Sequence, residues 1–133
     1  MLKQFAPIAT IPPSPKKSAC RISATEVEIT AAHGPSTIAA IFLETIVGTN
    51  GILIPPDGYL AGVREICDRH GILMVCDEVM AGFGRTGRWF AVDHWDVVPD
   101  LMTMAKGLTS SYLPLGAVAM RHGIAEAFEN KMY

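Results

Sequence analysis

The stretch ILMVCDE at residues 72–78 decides the fold of this chain, together with LMTMAKG at residues 101–107. Each stretch opens with a short apolar run; the first run is followed directly by Asp77 and the second by Lys106. A short apolar run bounded by turn-forming or charged residues is typical of a buried strand. In an open parallel sheet, residues just past the carboxyl ends of the strands line one crevice. The two stretches therefore predict an acid and an amine at the same rim of a sheet.

The flanking sequence supplies further elements of an α/β fold. Residues 37–43 form a continuous apolar run and are interpreted as another buried strand. Residues 57–69 have apolar residues on one helical face and predict a helix that Asp57 caps. A strand, a helix and a strand over this length predict a right-handed parallel crossover. Fainter patterns predict a helix at residues 23–32, a strand at 116–120, and a helix at 121–130 with Ile124, Ala125 and Phe128 facing inward.

Composition limits the class of protein. A chain of 133 residues is one domain at most, and its 50% hydrophobic content suits a folded core. The net charge of -2 provides no basic surface for nucleic acid. Cys20, Cys67 and Cys76 are odd in number and lack metal-site spacing, which indicates reduced thiols. The histidines likewise show no spacing that suggests a metal site.

The beginning of the chain predicts neither export nor a membrane anchor. Residues 1–18 are rich in proline and lack periodicity, so we interpret them as an irregular leader rather than a signal peptide. No apolar run approaches the ~18 residues that a membrane-spanning helix needs. Residues 19–133 form the predicted domain, and we expect a cytoplasmic protein without membrane or nucleic-acid partners.

A strand-end acid opposite a strand-end lysine meets a specific chemical requirement of pyridoxal phosphate. The lysine amine forms an imine with the cofactor aldehyde, and the acid keeps the pyridine nitrogen protonated so that the ring accepts electrons. Lys106 lies between Ala105 and Gly107 and is expected to be poorly solvated, which favours the amine that reacts. On these grounds Asp77 and Lys106 are the candidate functional pair.

The residues around this pair resemble the cofactor-attachment signature of class III aminotransferases. The resemblance lies in CDEV at residues 76–79, GFGRTG at 82–87, PD at 99–100 and AKG at 105–107. It implies a partial large domain of the aspartate-aminotransferase type (fold type I), with a mostly parallel sheet and flanking helices. It also implies that the strand at 116–120 is antiparallel at the sheet edge.

The resemblance assigns a role to each candidate site residue. Lys106 is the implied catalytic residue and cofactor anchor, Asp77 binds the pyridine nitrogen, and Val79 packs on one face of the ring. No metal is implied. Met80 stands where many members carry a glutamine that bonds the ring hydroxyl, so we interpret Met80 as packing. Thr49 stands where members acting on ornithine or γ-aminobutyrate carry a glutamate, which indicates the pyruvate-dependent ω-amine branch.

The implied reaction is transamination between small molecules. An amine substrate displaces Lys106, which then moves a proton as general acid and base, and a keto acid such as pyruvate accepts the amino group. The resemblance implies a homodimer or larger homo-oligomer of a longer enzyme, of which this sequence is an internal piece without the phosphate-binding residues. We therefore expect the 133-residue chain to bind the cofactor weakly and to turn over little. Another pyridoxal-phosphate activity (aminomutase, decarboxylase or racemase), or a catalytically silent remnant acting as an association module, remains the alternative.

Two features have competing interpretations. Gly82, Gly84 and Gly87 have the spacing of a dinucleotide-binding fingerprint, but no long helix is predicted after the third glycine, so a tight loop is favoured. Glu78 is interpreted as structural, either solvated or paired with Arg85, because only Asp77 continues the strand towards the crevice.

Overall fold

The computed structural model of the protein describes residues 32–129. The predicted leader at residues 1–18 lies outside the described residues. So does the helix predicted at 23–32, except for its last residue, Ala32.

A four-stranded sheet forms the centre of the fold. Its strands follow the chain order: β1 (Ala40–Glu44), β2 (Leu73–Asp77), β3 (Leu101–Met104) and β4 (Ala117–Met120). The first three strands are parallel, and β4 is antiparallel to β3 at the edge. The predictions of a mostly parallel α/β sheet and of an antiparallel edge strand are therefore confirmed.

Helix α1 (Tyr59–His70) connects β1 to β2 and covers one face of the sheet. Its buried side chains include Leu60, Val63 and Cys67, which recur at helical spacing and pack with Met74 and Cys76 of β2. This apolar stripe explains why the segment is helical, because an amphipathic helix is stabilised mainly by burying one face.

The start of α1 differs from the prediction. Asp57 does not cap it; the N-cap is Gly58, in a left-handed conformation with φ of 80° and no side-chain hydrogen bond. The Tyr59 amide donates to the carbonyl of Pro56, so residues 56–59 form a turn that separates Asp57 from the helical amides. Gly71, with φ of 67°, ends α1 and redirects the chain into β2.

The opposite face of the sheet is partly uncovered. Phe42 of β1 is 61% exposed and Val118 of β4 is 52% exposed. The prediction of a fully buried strand at residues 37–43 is therefore wrong: α1 covers only the face that carries Ile41 and Leu43, while alternate side chains point to the other face.

The last described helix, α2 (His122–Glu129), also departs from the prediction in part. Ile124 and Ala125 are half-buried as expected, but Phe128 is 61% exposed and does not face inward. The helix contributes no fully buried residue, so no described element packs closely on the side where Phe128 lies.

Asp100 joins α1 to the beginnings of β2 and β3. Its Oδ2 accepts hydrogen bonds from the Arg64 guanidinium at 2.7 Å and from the Met74 amide at 2.8 Å. Its own amide donates to the Met74 carbonyl, and Arg121 lies 3.4 Å from its other oxygen. Burial alone would raise the pKa of Asp100, but the bond from Met74 and the charge of Arg64 outweigh it and lower that pKa.

Candidate functional site

Asp77 and Lys106 follow two neighbouring parallel strands. Asp77 is the last residue of β2, and Lys106 comes two residues after the end of β3. Because β2 and β3 run in the same direction, both residues lie at the carboxyl-end edge of the sheet, as the sequence predicts. No hydrogen bond or ion pair joins the two side chains: the Asp77 carboxylate accepts from the Val79 amide, and the Lys106 amine contacts Met80.

The carboxylate of Asp77 is only partly engaged by the protein. Its Oδ1 accepts a hydrogen bond of 2.8 Å from the amide of Val79. No described residue bonds its other oxygen, and the residue is half-buried. The turn closed by this bond starts the loop that leaves β2, and Val79 is half-buried at its beginning. One oxygen of the acid therefore remains available at the rim.

The amine of Lys106 contacts a sulfur atom rather than a carboxylate. Its Nζ lies 2.6 Å from Sδ of Met80, and no described residue forms an ion pair with it. The expectation of a poorly solvated lysine is wrong: Lys106 is exposed, because it begins a surface segment whose residues 110–116 are exposed as well. Its backbone has φ of 28°, a left-handed conformation that a residue with a side chain adopts under strain.

The glycine-rich segment after β2 packs against the segment that carries the lysine. A Cβ added to Gly107 would lie 2.5 Å from Cβ of Phe83, so only glycine permits this close approach. Residues 79–86 are turns, and a short 3-10 helix (Ala91–His94) follows Gly87 in place of a long helix. The tight-loop interpretation is therefore confirmed, and the dinucleotide fingerprint is excluded for this segment.

Glu78 has different partners from those predicted. Its side chain is fully buried, and its carboxylate accepts bonds from the Thr45 hydroxyl and from the amides of Ala91 and Val92 at 2.8–3.0 Å. The expected partner Arg85 is exposed instead. The structural role is supported, but the proposed solvation or ion pair is wrong, because the chain after the glycine loop folds back and brings two free amides to the acid.

The thiol of Cys76, the residue before Asp77, is a poor nucleophile near neutral pH. Burial raises the pKa of Cys76 to about 11, so the group stays protonated near neutral pH. Cys67 and Cys76 are both free and buried, and Cys20 lies outside the described residues. Within residues 32–129, no cluster of potential metal ligands is found, and no helix is long and apolar enough to cross a membrane.

The sequence did not draw attention to Thr103, which is the register partner of Asp77 on β3. Its carbonyl accepts the amide of Glu78 at 3.0 Å, and its hydroxyl oxygen is buried without a hydrogen-bond partner. The available signal was a polar residue inside an apolar strand run. Its pairing with Asp77 could be seen only in three dimensions.

Comparison with known proteins gives one consistent family. The class-III aminotransferase family matches residues 3–132. An uncharacterised aminotransferase of Bacillus subtilis is 54% identical over 95 residues, which are 71% of this chain and 21% of the relative. The ω-amino acid–pyruvate aminotransferase of Pseudomonas putida is 44% identical over 117 residues, covering 88% of this chain and 26% of the relative.

Solved structures agree with the sequence relatives. The taurine:2-oxoglutarate aminotransferase of Bifidobacterium kashiwanohense, in complex with pyridoxal phosphate and glutamate, superposes with a TM-score of 0.74 at 46% identity. The match covers 84% of this chain and 27% of that structure. The chain therefore spans about a quarter of the length of the proteins that it matches.

Proposed function

The chain belongs to the class-III aminotransferase family, whose members depend on pyridoxal phosphate, and on that premise we propose that it is the part of a transaminase that holds the ring and aldehyde of this cofactor. The enzyme moves an amino group from an ω-amine or amino acid to a keto acid such as pyruvate. One observation carries the proposal. A carboxylate with an unengaged oxygen and an amine without a described ion-pair partner follow adjacent parallel strands at one edge.

The residues present fit this cofactor. Asp77 offers an acceptor oxygen, Lys106 offers an accessible amine, and Gly107 allows the glycine loop to lie close to the lysine segment. The buried hydroxyl of Thr103 beside Asp77 lacks a protein partner, as is common where a ligand completes a polar site.

When bound, pyridoxal phosphate supplies the aldehyde that takes up the amino group and the ring that accepts electrons. Asp77 would hold a proton on the pyridine nitrogen by placing a carboxylate beside it. Lys106 would hold the aldehyde end of the cofactor and would move a proton as general acid and base. Val79 would pack beside the ring.

The choice of substrates rests on fewer residues. Thr49 replaces the glutamate expected for the ornithine and γ-aminobutyrate branches, which supports an ω-amine donor and pyruvate as acceptor. The Bifidobacterium relative, which uses 2-oxoglutarate, makes that keto acid the competing acceptor. Parallel assays of the same donor with pyruvate and with 2-oxoglutarate distinguish the two.

The assembly and location of the enzyme are part of the same proposal. The enzyme is proposed to be a homodimer or larger homo-oligomer. The exposed apolar side chains Phe42 and Val118 support packing of further protein on the uncovered sheet face, from the rest of the longer enzyme or from another subunit. The free thiols of Cys67 and Cys76 support a reducing cytoplasm.

Covalent capture tests the proposed function. The 133-residue chain is incubated with excess pyridoxal phosphate, reduced with borohydride and digested for peptide mapping. We expect a pyridoxyl group on Lys106 well above the labelling of the other lysines, and its loss in Lys106→Ala. Lys17→Ala is the matched lysine control and should leave the labelling of Lys106 unchanged.

The result that overturns the proposal is labelling of Lys106 no higher than that of other lysines at saturating cofactor. Turnover is expected to be little or none, because the chain spans about a quarter of its relatives. Substantial conversion of an amine and pyruvate by this chain, abolished by Lys106→Ala, would contradict that expectation while supporting the assigned chemistry.

A further inference from the structure

Thr103 occupies a distinctive position at the rim of the sheet. It pairs in register with Asp77 across β2 and β3, so both side chains project from the same face. Its hydroxyl oxygen is buried and has no hydrogen-bond partner. A buried hydroxyl without a partner has a free-energy cost, so a partner that arrives later would recover it.

The register partner of Thr103 on β2 is Asp77, whose carboxylate can accept a hydrogen bond. The Val79 amide occupies only Oδ1 of this carboxylate. On the other side of Asp77, its register partner on β1 is Glu44, whose carboxylate is held by the Gly48 amide at 2.8 Å. Asp77 is thus flanked by a second acid and a hydroxyl, and Thr103 is the flanking residue able to donate a hydrogen bond to it.

We propose that Thr103 is a positioning residue whose hydroxyl donates to the Asp77 carboxylate when the pyridine ring occupies the rim. The inference rests on the proposed function. The hydrogen bond fixes the direction of the carboxylate. The Asp77 carboxylate is then positioned opposite the ring nitrogen by Thr103 of β3 as well as by its own strand, β2.

The fold adds a reason why this threonine is not ordinary strand packing. Valine has nearly the same shape and would fill the position without burying an unpaired polar atom. Keeping the hydroxyl therefore offers no evident benefit to the ligand-free chain. A hydrogen bond from this hydroxyl to Asp77 in the cofactor-bound state accounts for a threonine at this position.

The experiment compares Thr103→Val with Thr103→Ser in two measurements. The first is the pyridoxal phosphate concentration for half-maximal borohydride capture at Lys106. We expect Thr103→Val to raise it about tenfold, the usual size of a lost hydrogen bond to a charged group, and Thr103→Ser to stay within about twofold of the unmodified chain. The second is urea unfolding without cofactor, in which Thr103→Val should be no less stable than the unmodified chain.

A spectroscopic measurement separates positioning from packing. With pyridoxal phosphate labelled with ¹⁵N in the ring, the bound nitrogen should lose its proton at lower pH in Thr103→Val than in Thr103→Ser. A structural role for the hydroxyl would instead lower the ligand-free stability of Thr103→Val and leave this titration unchanged.

The possible results distinguish a failure of the role proposed for Thr103 from a failure of the proposed function. If Thr103→Val captures cofactor as readily as the unmodified chain, the role of Thr103 is wrong and the proposed function stands. If both variants lose capture and ligand-free stability together, Thr103 is structural and the inference is wrong. If the unmodified chain shows no selective capture at Lys106, the proposed function itself fails before any variant is compared.

Discussion

Two adjacent carboxylates at the end of β2 are treated very differently by the fold. Glu78 is fully buried and accepts hydrogen bonds from one hydroxyl and two amides, whereas Asp77 is half-buried and accepts one bond from one amide. Successive residues of an extended segment point to opposite sides, so one acid enters the interior and the other faces the rim. Glu78 therefore holds separate segments of the fold together, whereas Asp77 keeps one oxygen that no described residue bonds.

Asp100 extends the comparison to the other end of the strands. Like Glu78, it is buried and its bonds to Met74 and Arg64 join separate elements. The carboxyl-end rim, in contrast, contains Asp77 with one unengaged oxygen, Thr103 with an unpartnered hydroxyl, and Lys106 against a thioether. The two buried carboxylates thus bond several groups of the fold, whereas these three rim groups keep bonding capacity that no described residue uses.

The largest expected loss of stability is that of Glu78→Ala. The substitution leaves the Thr45 hydroxyl and the amides of Ala91 and Val92 buried without an acceptor, and we expect a loss of about 3 kcal/mol or more in the free energy of unfolding. Urea denaturation followed by tryptophan fluorescence measures it. Glu129→Ala, at the exposed end of α2, is the control. A loss below ~1 kcal/mol would remove the distinction between the two acids.

An intermediate loss, about 2 kcal/mol at neutral pH, is expected for Asp100→Asn because Arg64 loses the more buried of its two charged partners and keeps only the exposed Asp68. The pKa of Asp100 is lowered in the folded state, so its contribution is complete above the unfolded value of about 3.9 and is lost as the pH falls through the lower folded value. The stability difference between the two proteins should therefore shrink below about pH 4. Urea midpoints across acidic pH, with the exposed Asp57→Asn as control, test this; a constant difference contradicts it.

The smallest loss of stability is expected for Asp77→Ala, about 1 kcal/mol, because one hydrogen bond to the Val79 amide is removed from a half-buried site. The same variant should lose most of its capture of pyridoxal phosphate at Lys106. Unfolding and capture are measured on the same preparation. A loss as large as that of Glu78→Ala would show that Asp77 holds the fold together as Glu78 does.

Much of the site's arrangement was predictable from local sequence. The apolar runs before Asp77 and Lys106 have the length of strands and are bounded by turn residues, which is why β2 and β3 were located correctly. The helical spacing of Leu60, Val63 and Cys67 located the crossover helix α1. A crossover helix requires that the strands it joins, β1 and β2, are parallel. That β3 pairs with β2 in the same direction, so that Asp77 and Lys106 share one edge, is seen in the structure.

The errors arise where burial depends on what covers a surface. Phe42 lies in an apolar run, but one face of β1 has no described covering element, so the residue is exposed. Phe128 fits the helical period and is exposed for the same reason. Periodicity identifies an apolar face, whereas burial also requires a partner for that face.

The sequence by itself determined the strands, the crossover helix and the positions of Asp77 and Lys106 directly after apolar strand runs. These features follow from short-range periodicity and chain direction. Only the tertiary structure decided that Thr103 lies beside Asp77 and that the amides of Ala91 and Val92 close around Glu78. Strand register and loop return join residues distant along the chain, and a local pattern does not specify which of them meet.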